Sequence, residues 1–150
     1  MHKINSAQSE EDTVVADRDV VRRLTEEGFI GGDLAVIDEL IADDFVDHDP
    51  APGFAPTKEG YRQLAEVVVA AFSDRSTEFD EYLDTEDGRV VENWAMIGSH
   101  TGEAFGVPPS EQTVRIRGVE ISRCSGGQLV EHWGAVDMSD VFEKAQASSA

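Results

Sequence analysis

Residues 93–137, NWAMIGSHTGEAFGVPPSEQTVRIRGVEISRCSGGQLVEHWGAVD, decide the fold of this chain. Alternation of apolar and polar residues predicts strands over Val90–His100, Val114–Cys124 and Leu129–Met138. Ser125-Gly126-Gly127 makes a tight hairpin between the last two. A Gly/Pro loop, from Gly102 to Pro109, separates the first two. One residue before this stretch's first strand, Glu86-Asp87-Gly88 supplies a turn, and Thr77–Asp84 alternates well enough for a fourth strand. The result is an antiparallel meander.

Upstream the period changes from two to that of a helix. Ala16, Val20, Val21 and Leu24 predict a helix from Thr13 to about Gly28, stopped by Gly31-Gly32. Asp33 is the expected N-cap of a second helix carrying Leu34, Ile37, Leu40 and Ile41. Asp44–Pro50, DFVDHDP, reads as a short extended piece, a candidate edge strand near Val46. Thr57 is placed to cap a third helix whose Tyr61, Leu64, Val68, Ala71 and Phe72 form a buried stripe broad enough to lie on a sheet. A short helix starts near Ser139. Helices followed by a run of strands define an α+β domain. We expect one domain over residues 13–145, a disordered polar lead-in over 1–12, and a small-residue tail over 146–150.

At 150 residues and 40% hydrophobic, the chain is long enough for a single sizeable core. Its net charge of −19 disfavours nucleic acid and anionic membranes, because both are polyanions. The charge reads first as a solvated acidic coat; with three lysines against nine arginines, adaptation to high salt is the sharper alternative. Unfolding curves with and without molar salt separate the two. No apolar run approaches a membrane span, and MHKINSAQSEED has no apolar signal core. The single cysteine, Cys124, cannot form an intrachain disulfide, which fits a cytoplasmic location.

Five pieces, in this order and spacing, resemble the SnoaL-like polyketide cyclases, or ester cyclases, of the nuclear transport factor 2-like superfamily. They are Gly32-Asp33, Asp44–Pro50, Gly98–Gly106 with Pro108-Pro109, Gly118–Arg123 and Gly127–Asp137. Together they span nearly all of the chain from residue 13 onward. The resemblance implies a cone-shaped, curved antiparallel sheet, a half-barrel covered by the three N-terminal helices around an apolar cavity. It also implies assembly as a homodimer or homotetramer through the sheet. The activity it implies is closure of a ring in a small hydrophobic carbonyl substrate, with no cofactor and no metal.

Such an intramolecular aldol addition needs a base for an activated C–H, stabilisation of the enolate, and an acid for the new alkoxide. A carboxylate in an apolar pocket suits the task, because desolvation raises its pKa toward neutrality. The family's strand aspartate aligns with Glu120, in Gly118-Val119-Glu120-Ile121. Glutamate carries its carboxylate one C–C bond farther, ~1.5 Å. The bland alternative for Glu120 is a salt bridge with Arg115, Arg117 or Arg123. His100 falls at the family's GTHTG-like histidine and is expected to assist Glu120.

Other candidates are substrate contacts. His132 and Trp133 are adjacent, so alternation sends them to opposite faces and only one can line the pocket. Trp94 and Met96 share parity with His100. Tyr61, Phe105 and Asp137 complete the expected lining. Asp49-Pro50 resembles the Asp-Pro of ketosteroid isomerases, making Asp49, with His48, the site of an alternative isomerase, dehydratase or hydrolase. Asp47 reads as a turn residue instead. A third alternative is a carrier or sensor that binds a small apolar ligand without changing it. The histidines are scattered singly, without the short spacings of metal sites.

Overall fold

The computed structural model describes residues 17–149; the expected lead-in, and the start of the first helix, lie outside them. Helix α1 runs from residue 17 and continues as a π-helix over Leu24–Ile30. Gly31 donates to Glu26 O at 2.9 Å, an i to i−5 bond, and Gly32 turns the chain at φ 77°. The carbonyls left free at this end are taken by Arg75, whose Nε donates to Phe29 O at 2.8 Å and Ile30 O at 3.2 Å.

Asp33 caps α2 (Leu34–Leu40) by accepting from Ala35 N, and Thr57 caps α3 (Lys58–Ala71) by accepting from Gly60 N. Between them lies β1 (Ile41–Asp47), the expected edge strand. Four long strands follow: β2 (Phe72–Asp84), β3 (Arg89–His100), β4 (Thr113–Ser125) and β5 (Gln128–Asp137). Helix α4 (Ser139–Ser149) then absorbs most of the stretch expected as a tail. Its last turn is tied down: Gln112 Nε2 donates to Ser148 Oγ at 3.0 Å.

The sheet has five strands in the order β1-β5-β4-β3-β2 and does not close on itself. The meander is antiparallel throughout, but β1 joins β5 in parallel, so the sheet is mixed at that edge. Bulges in β2, where its register with β3 shifts twice, add twist and help the sheet curve. Two apolar clusters fill the interior. One packs α1, α2 and α3 on β1 and β5, through Leu24, Ile37, Phe45, Tyr61 and Leu129. The other joins Phe72, Met96, Val114, Ile116 and Val141. Among the described residues no helix is long and apolar enough to cross a membrane.

Candidate active site

A cavity of about 900 Å³ opens between helices and sheet, with walls drawn from both clusters: Tyr61 from one, Phe72, Met96 and Ile116 from the other. Leu64, Val68 and Phe142 extend the apolar lining. The acidic and histidine side chains of the lining, Asp47, Asp49, Glu120 and His132, lie on one wall, with Thr25 contributed from α1.

Two neighbouring rungs of the sheet build that wall. One rung runs Asp47, His132, Ser122, Val90, Asp84 across all five strands. The next on the same face runs Gly134, Glu120, Glu92, Tyr82. Residues two apart on a strand share a face, so His132 and Glu120 meet diagonally. His132 Nε2 lies 3.0 Å from Glu120 Oε1, and His132 Nδ1 lies 3.0 Å from Asp47 Oδ1. Burial works against a charged imidazole here, but the hydrogen bonds and charges of Asp47 and Glu120 outweigh it and raise His132 to about 10. His132 is therefore an imidazolium clamped between two carboxylates.

The other oxygen of Glu120, Oε2, accepts from Trp94 Nε1 at 3.0 Å. That bond depends on Gly118, directly across from Trp94 in the register. A Cβ at 118 would sit 2.6 Å from Trp94 Cζ2, so only a bare backbone lets the indole lie across β4. Gly134 plays the same part beside Glu120, where a Cβ would approach Glu120 Cγ to 3.0 Å. Its N–H donates to Asp49 Oδ2 at 3.0 Å.

Asp47 makes the turn that its sequence announces, accepting from Asp49 N at 3.0 Å. It is also only 6% exposed and holds His132, a second role that the turn reading misses. Glu92 is the other residue missed: it is 2% exposed, and burial, then the charge of Glu120, then Asp80 push its carboxyl up to about 10. Burial, with Glu120, Glu92 and Asp47 nearby, raises Tyr61 far above an ordinary phenol, so it stays neutral.

The sequence candidates divide. Glu120, Asp49, Tyr61, Trp94, Met96, Phe105 and His132 all line the cavity. His100 does not join them, and its expected partnership with Glu120 is taken by His132. It is fully buried against Phe72, with its Nδ1 accepting from Ser110 N at 3.4 Å and its Nε2 unpartnered. Trp133 and His48 stack on the other face of the sheet, with ring centroids 4.6 Å apart, and His48 Nε2 lies 2.9 Å from Glu131 Oε2. Asp137 is exposed and accepts from Ser139 N at 2.9 Å, holding the turn into α4. None of the three arginines expected to neutralise Glu120 does so: Arg115 pairs with Glu78, Arg123 with Glu131, and Arg117 donates to Asn93. Among the described residues no three His, Cys, Asp or Glu side chains are disposed to hold a metal ion.

An open, curved sheet closed by helices around an apolar cavity, with acid–base groups on one wall, is the nuclear transport factor 2-like architecture. Within it, the chain belongs to the SnoaL-like polyketide cyclase family, whose model matches residues 19–144. IdmH from Streptomyces antibioticus, assigned as a polyketide cyclase, superposes with a TM-score of 0.71 at 28% identity over 87% of this chain and 98% of its own. TsrD from Streptomyces laurentii gives 0.72 at 22% identity over 87% and 98%. A SnoaL-like protein from Jannaschia sp. CCS1 gives 0.75 at 24% identity over 89% and 93%. No curated protein matches the chain.

Proposed function

We propose that this protein is a cofactor-independent cyclase that closes a ring in a hydrophobic, polyketide-like ester by intramolecular aldol addition. Glu120 takes the proton from the activated carbon, and the carbanion formed attacks a second carbonyl of the same molecule. The observation that carries this reading is a carboxylate reaching an apolar cavity while two donors, the His132 imidazolium and the Trp94 indole, fix its two oxygens. A base so held does not reorient during proton transfer, and positioned acid–base catalysis contributes about 10²–10⁴-fold. The apolar lining folds the guest for attack, the larger share of the rate.

The test is a panel of poly-β-keto methyl esters followed by mass spectrometry of the cyclised product. Glu120→Gln should abolish turnover and leave binding, followed by Trp94 fluorescence, nearly unchanged. A fully active Gln variant removes the mechanism. The isomerase, dehydratase or hydrolase reading is kept because Asp49 also lines the cavity; it predicts that Asp49→Asn, not Glu120→Gln, is the dead variant. Assembly through the outer face of the sheet belongs to the same proposal, supported by Val119, 42% exposed there. Light scattering on the eluted protein decides it, a monomer counting against it.

A further inference from the structure

Glu92 is a buried acid that the mechanism above leaves idle. It sits directly across from Glu120 on the adjacent strand, and its Oε2 accepts from Thr25 Oγ1 at 2.7 Å. Thr25 itself lines the cavity, from the π-helical stretch whose residues at i, i+4 and i+5, Thr25, Phe29 and Ile30, all face the guest. The same oxygen of Glu92 meets Tyr82 Oη.

Hydrogen bookkeeping narrows the state of this cluster. Tyr82 has one hydroxyl proton and two carboxyl oxygens in reach, Asp80 Oδ2 at 2.5 Å and Glu92 Oε2 at 3.2 Å. The nearer, Asp80, takes it. The Tyr82–Glu92 contact is then a hydrogen bond only if Glu92 supplies the proton. A line of groups, Asp80, Tyr82, Glu92, Thr25, runs to the cavity wall, and a proton on Glu92 would satisfy each contact along it. The strong upward push on the Glu92 carboxyl described above agrees with this.

We propose that Glu92 is the acid arm of the site, delivering its proton to the guest's oxygen through the Thr25 hydroxyl. The inference rests on Glu120 being the base. As Glu120 takes the carbon-bound proton, the carbanion forms the new C–C bond and the attacked C=O π pair becomes an alkoxide. The Thr25 hydroxyl turns from Glu92 to that oxygen and gives up its proton, and the Glu92 proton turns from Tyr82 to Thr25 Oγ1 to replace it. Hydrogen has moved from carbon to oxygen, leaving Glu120 protonated and Glu92 ionised; exchange with water after product release restores both. Glu92 acts through Thr25, so it is a positioning and proton-storing residue rather than one that touches substrate. Two carboxyls on one rung thus take opposite jobs because their surroundings differ.

Infrared spectroscopy tests this without a known substrate. At neutral pH the wild type should show a protonated-carboxyl C=O band that Glu92→Gln removes and Glu120→Gln keeps. The groups facing Glu92 are Asp80 and Tyr82 from β2, Glu120 from β4, and Arg22 from α1, stacked 5.1 Å over the Tyr82 ring. Asp80→Asn is the control for misassignment of the band, and should leave it in place. Binding 2-acetonaphthone, a hydrophobic ketone, should shift the band in the wild type and in Thr25→Ser but not in Thr25→Val. On the ester panel, Glu92→Gln and Thr25→Val should each lower kcat about 10²-fold with KM little changed, and Thr25→Ser should keep the rate. No protonated band in the wild type at neutral pH overturns the proposal, even if the Gln variant fails to fold. So does a band that ignores the ketone, or a Thr25→Val enzyme at full rate. Failure of the base reading shows separately, as an active Glu120→Gln variant. A ketone that does not bind at all counts against both.

Discussion

The molecule buries two histidines, one on its cavity wall and one away from it, in opposite surroundings. His132 is held by two carboxylates 3.0 Å from either ring nitrogen. His100, equally enclosed, has one long contact to a backbone N–H and a second nitrogen with no partner. Burial works against a charge on His132, and the rung that brings Asp47 and Glu120 beside it outweighs that. Histidine chemistry here is decided by what the neighbouring strands place alongside, and the motif around His100 carries no such neighbours.

The largest break in this contrast is His132→Ala. It strands two enclosed carboxylates without a countercharge and should cost about 3–5 kcal/mol in urea unfolding. A loss within error of zero would mean that the clamp is not what holds β1 to the site. Next comes pH. His132 rises from 6.5 to about 10 and Glu92 from 4.5 to about 10, so in each case the folded protein binds its proton more tightly than the unfolded chain. Their stabilisation is complete below those ordinary values and drains away as pH rises toward about 10. Melting temperature should fall over that range, and the fall should be shallower in Glu92→Gln; an upward slope contradicts both assignments. Gly118→Ala should cost about 1–3 kcal/mol by forcing the indole off β4, with a red shift of Trp94 emission and a weakened Glu120 bond. The smallest effect belongs to His100→Leu. It replaces an underused imidazole with an apolar group, so stability should move by less than about 1.5 kcal/mol in either direction. Affinity for a cavity ligand should not move at all. A large loss of affinity there would return His100 to the site.

Much of the architecture was legible because it rests on local signals. Asp33 and Thr57 cap where capping residues should, Gly31-Gly32 ends α1, and alternation marks four strands to within a few residues, except β2, which begins five residues before its expected start at Thr77. Register was not local, and the site depends on it. Read as a plain hairpin from Ser125 and Gln128, β5 would set Trp133 opposite Glu120. A bulge between Arg123 and Cys124 shifts the pairing by one, so Gly134 faces Glu120 and His132 comes to the same wall. Nothing in Gln128–Glu131 announces that extra residue. Glu92 stayed hidden for a related reason: the long loop between β3 and β4 leaves their pairing unspecified, so its place opposite Glu120 is visible only in three dimensions.

The π-helical turn of α1 carries a consequence of its own. Such a turn behaves as an α-helix with a residue to spare, and removing one position within Leu24–Ile30 would restore the tighter winding. Thr25, Phe29 and Ile30 would then stand at i, i+3 and i+4, which is again one face of an α-helix. A single-codon deletion there would keep the oily seat of the guest and the hydroxyl beside it in one chamber, while shortening the turn that leads into Gly31-Gly32.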